Sequence, residues 1–188
     1  MTRKNTLRMV ECAILLALAF ALSFITVMEM PMGGSVTLAS MLPIMLISIK
    51  YGAKTGVPCA FVYSLLQLFQ AVIKGNVFIY CNTGALVAIC ALFDYVVPFT
   101  VLGFAGILKK KASIGLYIGM TLSVLFRFVC HFMTGVFIWG QWAPEGMGPY
   151  LYSLFYNGSF LSLDFIICIL VAIPLLQIKQ IRKLLSIN

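Results

Sequence analysis

Charge is scarce in this chain, and negative charge scarcest. Asp and Glu together number five against thirteen Lys and Arg, and charged residues fill 10% of 188 positions. Soluble domains carry roughly 25% charged residues, so a water-facing surface cannot be built from this composition. There is a single histidine, and none of the six cysteines (Cys12, Cys59, Cys81, Cys90, Cys130, Cys168) stands in a C-x-x-C or other metal-ligand spacing. No metal site is expected, and the cysteines read as small apolar residues. A Walker loop is missing, which excludes ATP hydrolysis by this chain. No Ser, Cys or carboxylate stands beside a base as a nucleophile, so the reading is of a non-enzyme with no catalytic residue and no cofactor. Repeated filter sequences of the channel type are missing too.

Apolar residues are abundant, at 62%, with a mean hydropathy of +1.07. About 20 apolar residues cross a ~30 Å hydrocarbon core as a helix. The expected spans are 9–28, 36–49, 55–73, 82–108, 113–139 and 149–177. The second is short, hence tilted, partly irregular or shielded by its neighbours. Polar and Gly/Pro breaks separate the spans. The basic start Met1–Arg8 before a long apolar run suggests a signal peptide, but the run is too long and lacks a small-residue cleavage site; a retained first helix is expected.

Lys and Arg set the orientation. Arg3, Lys4 and Arg8 precede the first span, Lys50 and Lys54 follow the second, Lys109, Lys110 and Lys111 the fourth, and Lys179, Arg182 and Lys183 the sixth. The other side holds Lys74, with the acidic Glu29 and Glu145. The expected fold is an all-α integral membrane protein, a single bundle of six transmembrane helices over residues 1–188 with both termini cytoplasmic, in a prokaryotic plasma membrane. The cations lie at the ends of apolar runs, not on a polar face, so the lipid bilayer and not nucleic acid is the surrounding partner.

Ionisable residues at mid-membrane cost about 2.5–3.5 kcal/mol on insertion scales and normally face a bundle interior. Asp94, Arg127, His131 and Asp164 are so placed. Arg127 and His131 are an i, i+4 pair on one helix face. With Asp94, and with Tyr152 and Asn157 of the sixth span, they are within reach of one cavity in the outer half. The alternative is an internal Asp94–Arg127 ion pair that holds helices together, with His131 a hydrogen-bonded packing residue. Asp164, seven residues past Asn157, extends the site or bonds to another helix.

Aromatics crowd the outer end of the fifth span and the loop beyond. Trp142 and Tyr150 read as an interfacial belt. Trp139 lies two turns beyond His131, where its ring can stack on a flat or cationic ring. With Asp94 as countercharge, the set suits a cationic heteroaromatic solute. The stretch Met32–Met41 (MGGSVTLASM) contains Gly33, Gly34 and Ser35; it is either a lid over an outward pocket or a flexible loop with a helix cap at Ser35. In the first span, Ala13, Ala17 and Ala21 recur every fourth residue, a small-residue ridge that permits close helix approach.

These residues resemble a known family, the substrate-binding S components of energy-coupling factor (ECF) vitamin transporters, and within it the thiamine-specific ThiT type. The likeness runs over nearly the whole chain. It is strongest at 93–106 (FDYVVPFTVLGFAG) and 127–158, where His131, Gly135, Trp139, Tyr152, Ser153 and Asn157 stand at family spacing. The resemblance implies that Asp94, next to Tyr95, faces the thiamine cation, that Arg127 lies beside it, and that His131 and Trp139 contact the rings. It gives Tyr152, Ser153 and Asn157 polar contacts on the sixth helix. It makes the alanine ridge a docking surface for a transmembrane coupling subunit that works with two cytoplasmic ATPase subunits.

The chain departs from the family at several positions. The acidic residue is usually Glu and here is the shorter Asp94, and the basic one can be Lys and here is Arg127. A loop tryptophan of some relatives falls at Gly34, so that ring contact is absent or supplied by Trp142. The stretch from Gly75 to Asp94 is longer than in some relatives and leaves contacts from Phe78 or Tyr80 open. The expected function is membrane-embedded thiamine binding for uptake. The alternatives are an S component for another vitamin or precursor (hydroxymethylpyrimidine, riboflavin), a membrane enzyme or sensor, or a structural helix bundle.

Overall fold

A computed structural model describes residues 2–75, 78–109 and 113–187; the predicted cytoplasmic Lys110 and Lys111 lie outside them. Helix α1 spans Arg3–Ser23. Strands β1 (Thr26–Glu29) and β2 (Ser35–Thr37) follow as an antiparallel hairpin pairing Met28 with Val36 and Glu29 with Ser35. Then come α2 (Met41–Tyr51), α3 (Ala53–Lys74), α4 (Gly84–Phe104), α5 (Ser113–Phe137), α6 (Pro149–Gln177) and a short α7 (Lys179–Leu184). Helices α1 and α3 to α6 are each long and apolar enough to cross a membrane. The expected helical membrane bundle is therefore present, with one hairpin added to it.

Three boundaries correct the sequence reading. The first helix ends at Ser23, not Met28, because the β-branched Thr26 and Val27 enter strand β1 instead of continuing the helix. The second span becomes helical only at Met41, and Ser35 is a strand residue, not a helix cap. Trp139, expected at the end of the fifth span, opens a short 3-10 turn to Trp142 instead.

Helix α2 explains the short second span. Its eleven residues rise about 16 Å, half of a ~30 Å core. From Met41 to Ile49 every residue is buried, among α1, α3 and the inner end of α4. Shielded on all sides, it needs no length to match the bilayer. Gly52, at φ +78°, turns the chain directly from α2 into α3, a conformation that only glycine adopts freely.

Packing in the inner half is backbone to backbone. A methyl at Gly103 would stand 2.5 Å from Val57 Cα, and one at Gly106 only 2.1 Å from the carbonyl oxygen of Ser48. Ser48 Oγ bonds to the Gly103 carbonyl and accepts the Gly106 N–H at 2.9 Å. At this end Lys50 pairs with Glu11 of α1, and Lys109 donates to the Lys50 carbonyl at 3.2 Å. At the opposite end Lys74 meets Glu29 at 3.3 Å. The basic side is thus the one that the positive-inside pattern assigns to the cytoplasm.

Candidate functional site

Above the N-terminal end of α2, the outer half of the bundle opens into a cavity. Its empty space is about 1080 Å³, counting the part that joins the outside. Its walls come from α3, α4, α5, α6 and the hairpin, with Ser23 at the end of α1.

Asp94 is set by a break in helix regularity. Residues Ala91–Val96 of α4 form a π-helical turn, a widening often found at functional sites. Asp94 Oδ2 accepts the Trp139 indole N–H at 2.9 Å. Its Oδ1 accepts the Thr134 hydroxyl and lies 3.4 Å from His131 Nδ1. Arg127 Nε donates to His131 Nε2 at 3.4 Å. A guanidinium can only donate, so Nε2 accepts and the ring proton sits on Nδ1, aimed at Asp94. The carboxylate is held by three neutral donors.

The predicted alternative of an Asp94–Arg127 ion pair is not what forms. Arg127 Nη1 lies 3.6 Å from Asp164 Oδ2, and its guanidinium covers the Phe99 ring at 4.2 Å. Asp164 accepts both the Thr37 N–H and the Thr37 hydroxyl at 2.9 Å. Of the two roles left open for it, Asp164 takes the second. It is buried outside the cavity wall and ties α6 to α5 and to strand β2, because the chain at Thr37 would otherwise leave a buried N–H unpaired. Arg127 and Asp164 offset one another, and among the described residues no Lys or Arg side chain pairs with Asp94.

Most of the expected residues converge. Asp94, Tyr95, Arg127, His131, Gly135, Trp139, Tyr152 and Asn157 line the cavity, as do Gly34 and Ser35 of the hairpin. Ser153 does not: it is buried behind Asn157, donating to the Phe132 carbonyl at 2.8 Å and accepting the Asn157 amide at 3.1 Å. Gly135 lets this pair approach, since a methyl there would stand 2.1 Å from Ser153 Oγ. Trp142 stands behind the wall, its ring 5.5 Å from that of Trp139 and 5.8 Å from Tyr80. It does not replace the loop tryptophan of the resembling family. Phe78 likewise backs Tyr95 at 5.9 Å. Ala13, Ala17 and Ala21 are exposed along α1, away from the cavity.

The hairpin closes over this cavity. Tyr156 Oη accepts the Gly34 N–H at 3.1 Å and donates to the Pro31 carbonyl. A Cβ at Gly34 would stand 3.0 Å from that same oxygen, so glycine here permits the tip to lie on Tyr156. Three residues of α3 outside the expected set, Gln67, Gln70 and Lys74, also line the cavity. The signal was available: three polar side chains at i, i+3 and i+7 in an otherwise apolar span share one helix face. Tyr156, Phe160, the hairpin residues Glu29, Met30, Met32 and Gly33, and Ser23, Ala71 and Phe99 complete the lining.

Fold and site together define a multi-pass membrane protein with a polar-lined cavity in its outer half, covered by a hairpin. The chain belongs to the family described as Thiamine transporter protein (Thia_YuaJ), which it matches over residues 9–185. It is 31% identical over 182 residues to the thiamine transporter ThiT of Bacillus subtilis (strain 168), covering 89% of each chain. It is 25% identical over 193 residues to that of Lacticaseibacillus paracasei (strain ATCC 334), covering 93% of this chain and 89% of the relative. A solved structure of ThiT from Listeria monocytogenes superposes with a TM-score of 0.73 at 25% identity, over 97% of this chain and 99% of that one. The family is one of transporters, and this chain accordingly is a multi-pass protein of the cell membrane.

Proposed function

We propose that this chain binds thiamine from the outer side of the membrane and acts as the substrate-binding S component of an ECF-type transporter. One observation carries the ligand: the Asp94 carboxylate faces the cavity with His131, Thr134 and Trp139 as its partners among the described residues, while Arg127 is matched to Asp164. Removing a carboxylate from water costs several kcal/mol unless an opposite charge compensates it. A cationic solute supplies that charge when it enters. Thiamine carries a permanent cation on a flat ring, and the cavity offers Trp139, Tyr95 and Tyr152 as aromatic walls.

Asp94, Tyr95, Arg127, His131, Gly135, Trp139, Tyr152 and Asn157 are the proposed contacts, with Ser153 acting through Asn157. The hairpin is the lid. On α1 the exposed ridge of Ala13, Ala17 and Ala21 is the proposed seat of the transmembrane coupling subunit, and two cytoplasmic ATPase subunits supply the energy this chain lacks a Walker loop to provide. Hydroxymethylpyrimidine and riboflavin carry no permanent cation and would leave Asp94 unmatched, which favours thiamine over them.

The test is equilibrium binding of the purified chain to thiamine, its phosphates, its pyrimidine moiety and riboflavin. Thiamine is expected to bind at least a hundredfold more tightly than the neutral pyrimidine, about 2.7 kcal/mol. Equal affinity for the two would remove the cation from the recognition scheme.

A further inference from the structure

We infer that Gln67 on α3 is a second recognition point in the cavity, bonding to an uncharged polar group of the ligand remote from its cationic centre. This rests on the thiamine reading above. Two glutamines on this face line the cavity, and the structure uses them differently. Gln70 is tied at both ends to α1: its Oε1 accepts the Ser23 hydroxyl at 3.1 Å and its Nε2 donates to the Ser23 carbonyl at 3.5 Å. Gln70 therefore joins helices. Gln67 Nε2 is buried and has no hydrogen-bond partner among the described residues. A buried amide donor left without a protein partner is costly. An apolar side chain would serve packing better, so the amide at this place has the character of a ligand contact.

Position agrees with this. Gln67 is one turn outward of Tyr63, whose ring packs edge-on against Phe99 at 5.6 Å. Phe99 in turn lies under the Arg127 guanidinium, and His131 is one turn outward of Arg127. Gln67 and His131 thus stand at one depth, each a turn above the Tyr63–Phe99–Arg127 stack. The last torsion of a glutamine is broad, so its amide can swing into the cavity once an acceptor arrives. The acceptor is a neutral one, either the hydroxyl of the ligand's side arm or a nitrogen of its uncharged ring.

Binding measurements on the full chain decide this. Wild type and Gln67→Leu are compared with thiamine, with an analogue whose hydroxyl is replaced by hydrogen, and with one whose pyrimidine nitrogen is replaced by C–H. Gln67→Met, unbranched and of similar length, is a second apolar variant in case leucine disturbs the helix. The expected result is a loss of on the order of tenfold for thiamine, and no loss for whichever analogue lacks the acceptor, which identifies that atom. Unchanged thiamine affinity in both variants, or equal losses for all three ligands, overturns the role of Gln67 and leaves the thiamine reading intact. Failure of the folded wild type to bind any of the three overturns both.

Discussion

His131 joins Asp94 to Arg127 without letting the two charges meet. Its Nδ1 lies 3.4 Å from the carboxylate and its Nε2 accepts from the guanidinium at 3.4 Å. The neutral ring works as a spacer: the cation stays with Asp164, and the anion stays available to the cavity.

Asp94→Asn keeps the side chain's size and removes its charge. Thiamine affinity is expected to fall by more than tenfold, upward of ~1.4 kcal/mol, while a neutral pyrimidine ligand loses little. Titration calorimetry reads both values. Retention of full thiamine affinity would take Asp94 out of the site.

Trp139 has two jobs that substitutions can separate. Trp139→Ala removes the ring wall and the N–H to Asp94, and is expected to lower affinity and to reduce ligand-dependent quenching of tryptophan fluorescence. Trp139→Phe keeps an aromatic face and loses only the hydrogen bond, so its affinity is expected to lie between that of wild type and Trp139→Ala. Quenching that persists in full in Trp139→Ala would assign it to Trp142.

Asp164 acts on stability before it acts on binding. Asp164→Asn leaves Arg127 buried without its anion and weakens the hold on Thr37. Breaking a buried pair from one side costs about 3–5 kcal/mol. A lowered unfolding temperature of the ligand-free protein is the expected outcome. An unchanged temperature would mean that the pair contributes nothing to the fold.

Ala17→Trp puts a bulky ring on the exposed ridge of α1. Thiamine binding by the purified chain is expected to be unchanged, and thiamine uptake by cells that make the complete transporter is expected to fall. Unimpaired uptake would move the docking surface elsewhere.

The helical bundle and its orientation were readable because lipid imposes a simple rule, about 20 apolar residues per crossing with cations on the inner side. The convergence of Asp94, His131, Trp139 and Asn157 was readable because buried polar groups are rare among hydrocarbon. What escaped was partnership. Spacing along a helix shows which side chains share a face but not which face a neighbouring helix presents, so Arg127 was set against Asp94 when its anion comes from α6. The hairpin also escaped. Thr26–Glu29 and Ser35–Thr37 are too short to show a period, and the Thr37 N–H finds its acceptor in Asp164, more than a hundred residues away.

The tight seams among α2, α3 and α4 have a bearing on delivery. Where a single methyl group does not fit between backbones, a vitamin cannot thread its way toward the cytoplasm. The floor beneath the cavity is a plug, not a gate. If cargo binds as proposed, with this floor in place it would leave through the same mouth by which it came in, and import would have to bring that mouth to the other face of the membrane.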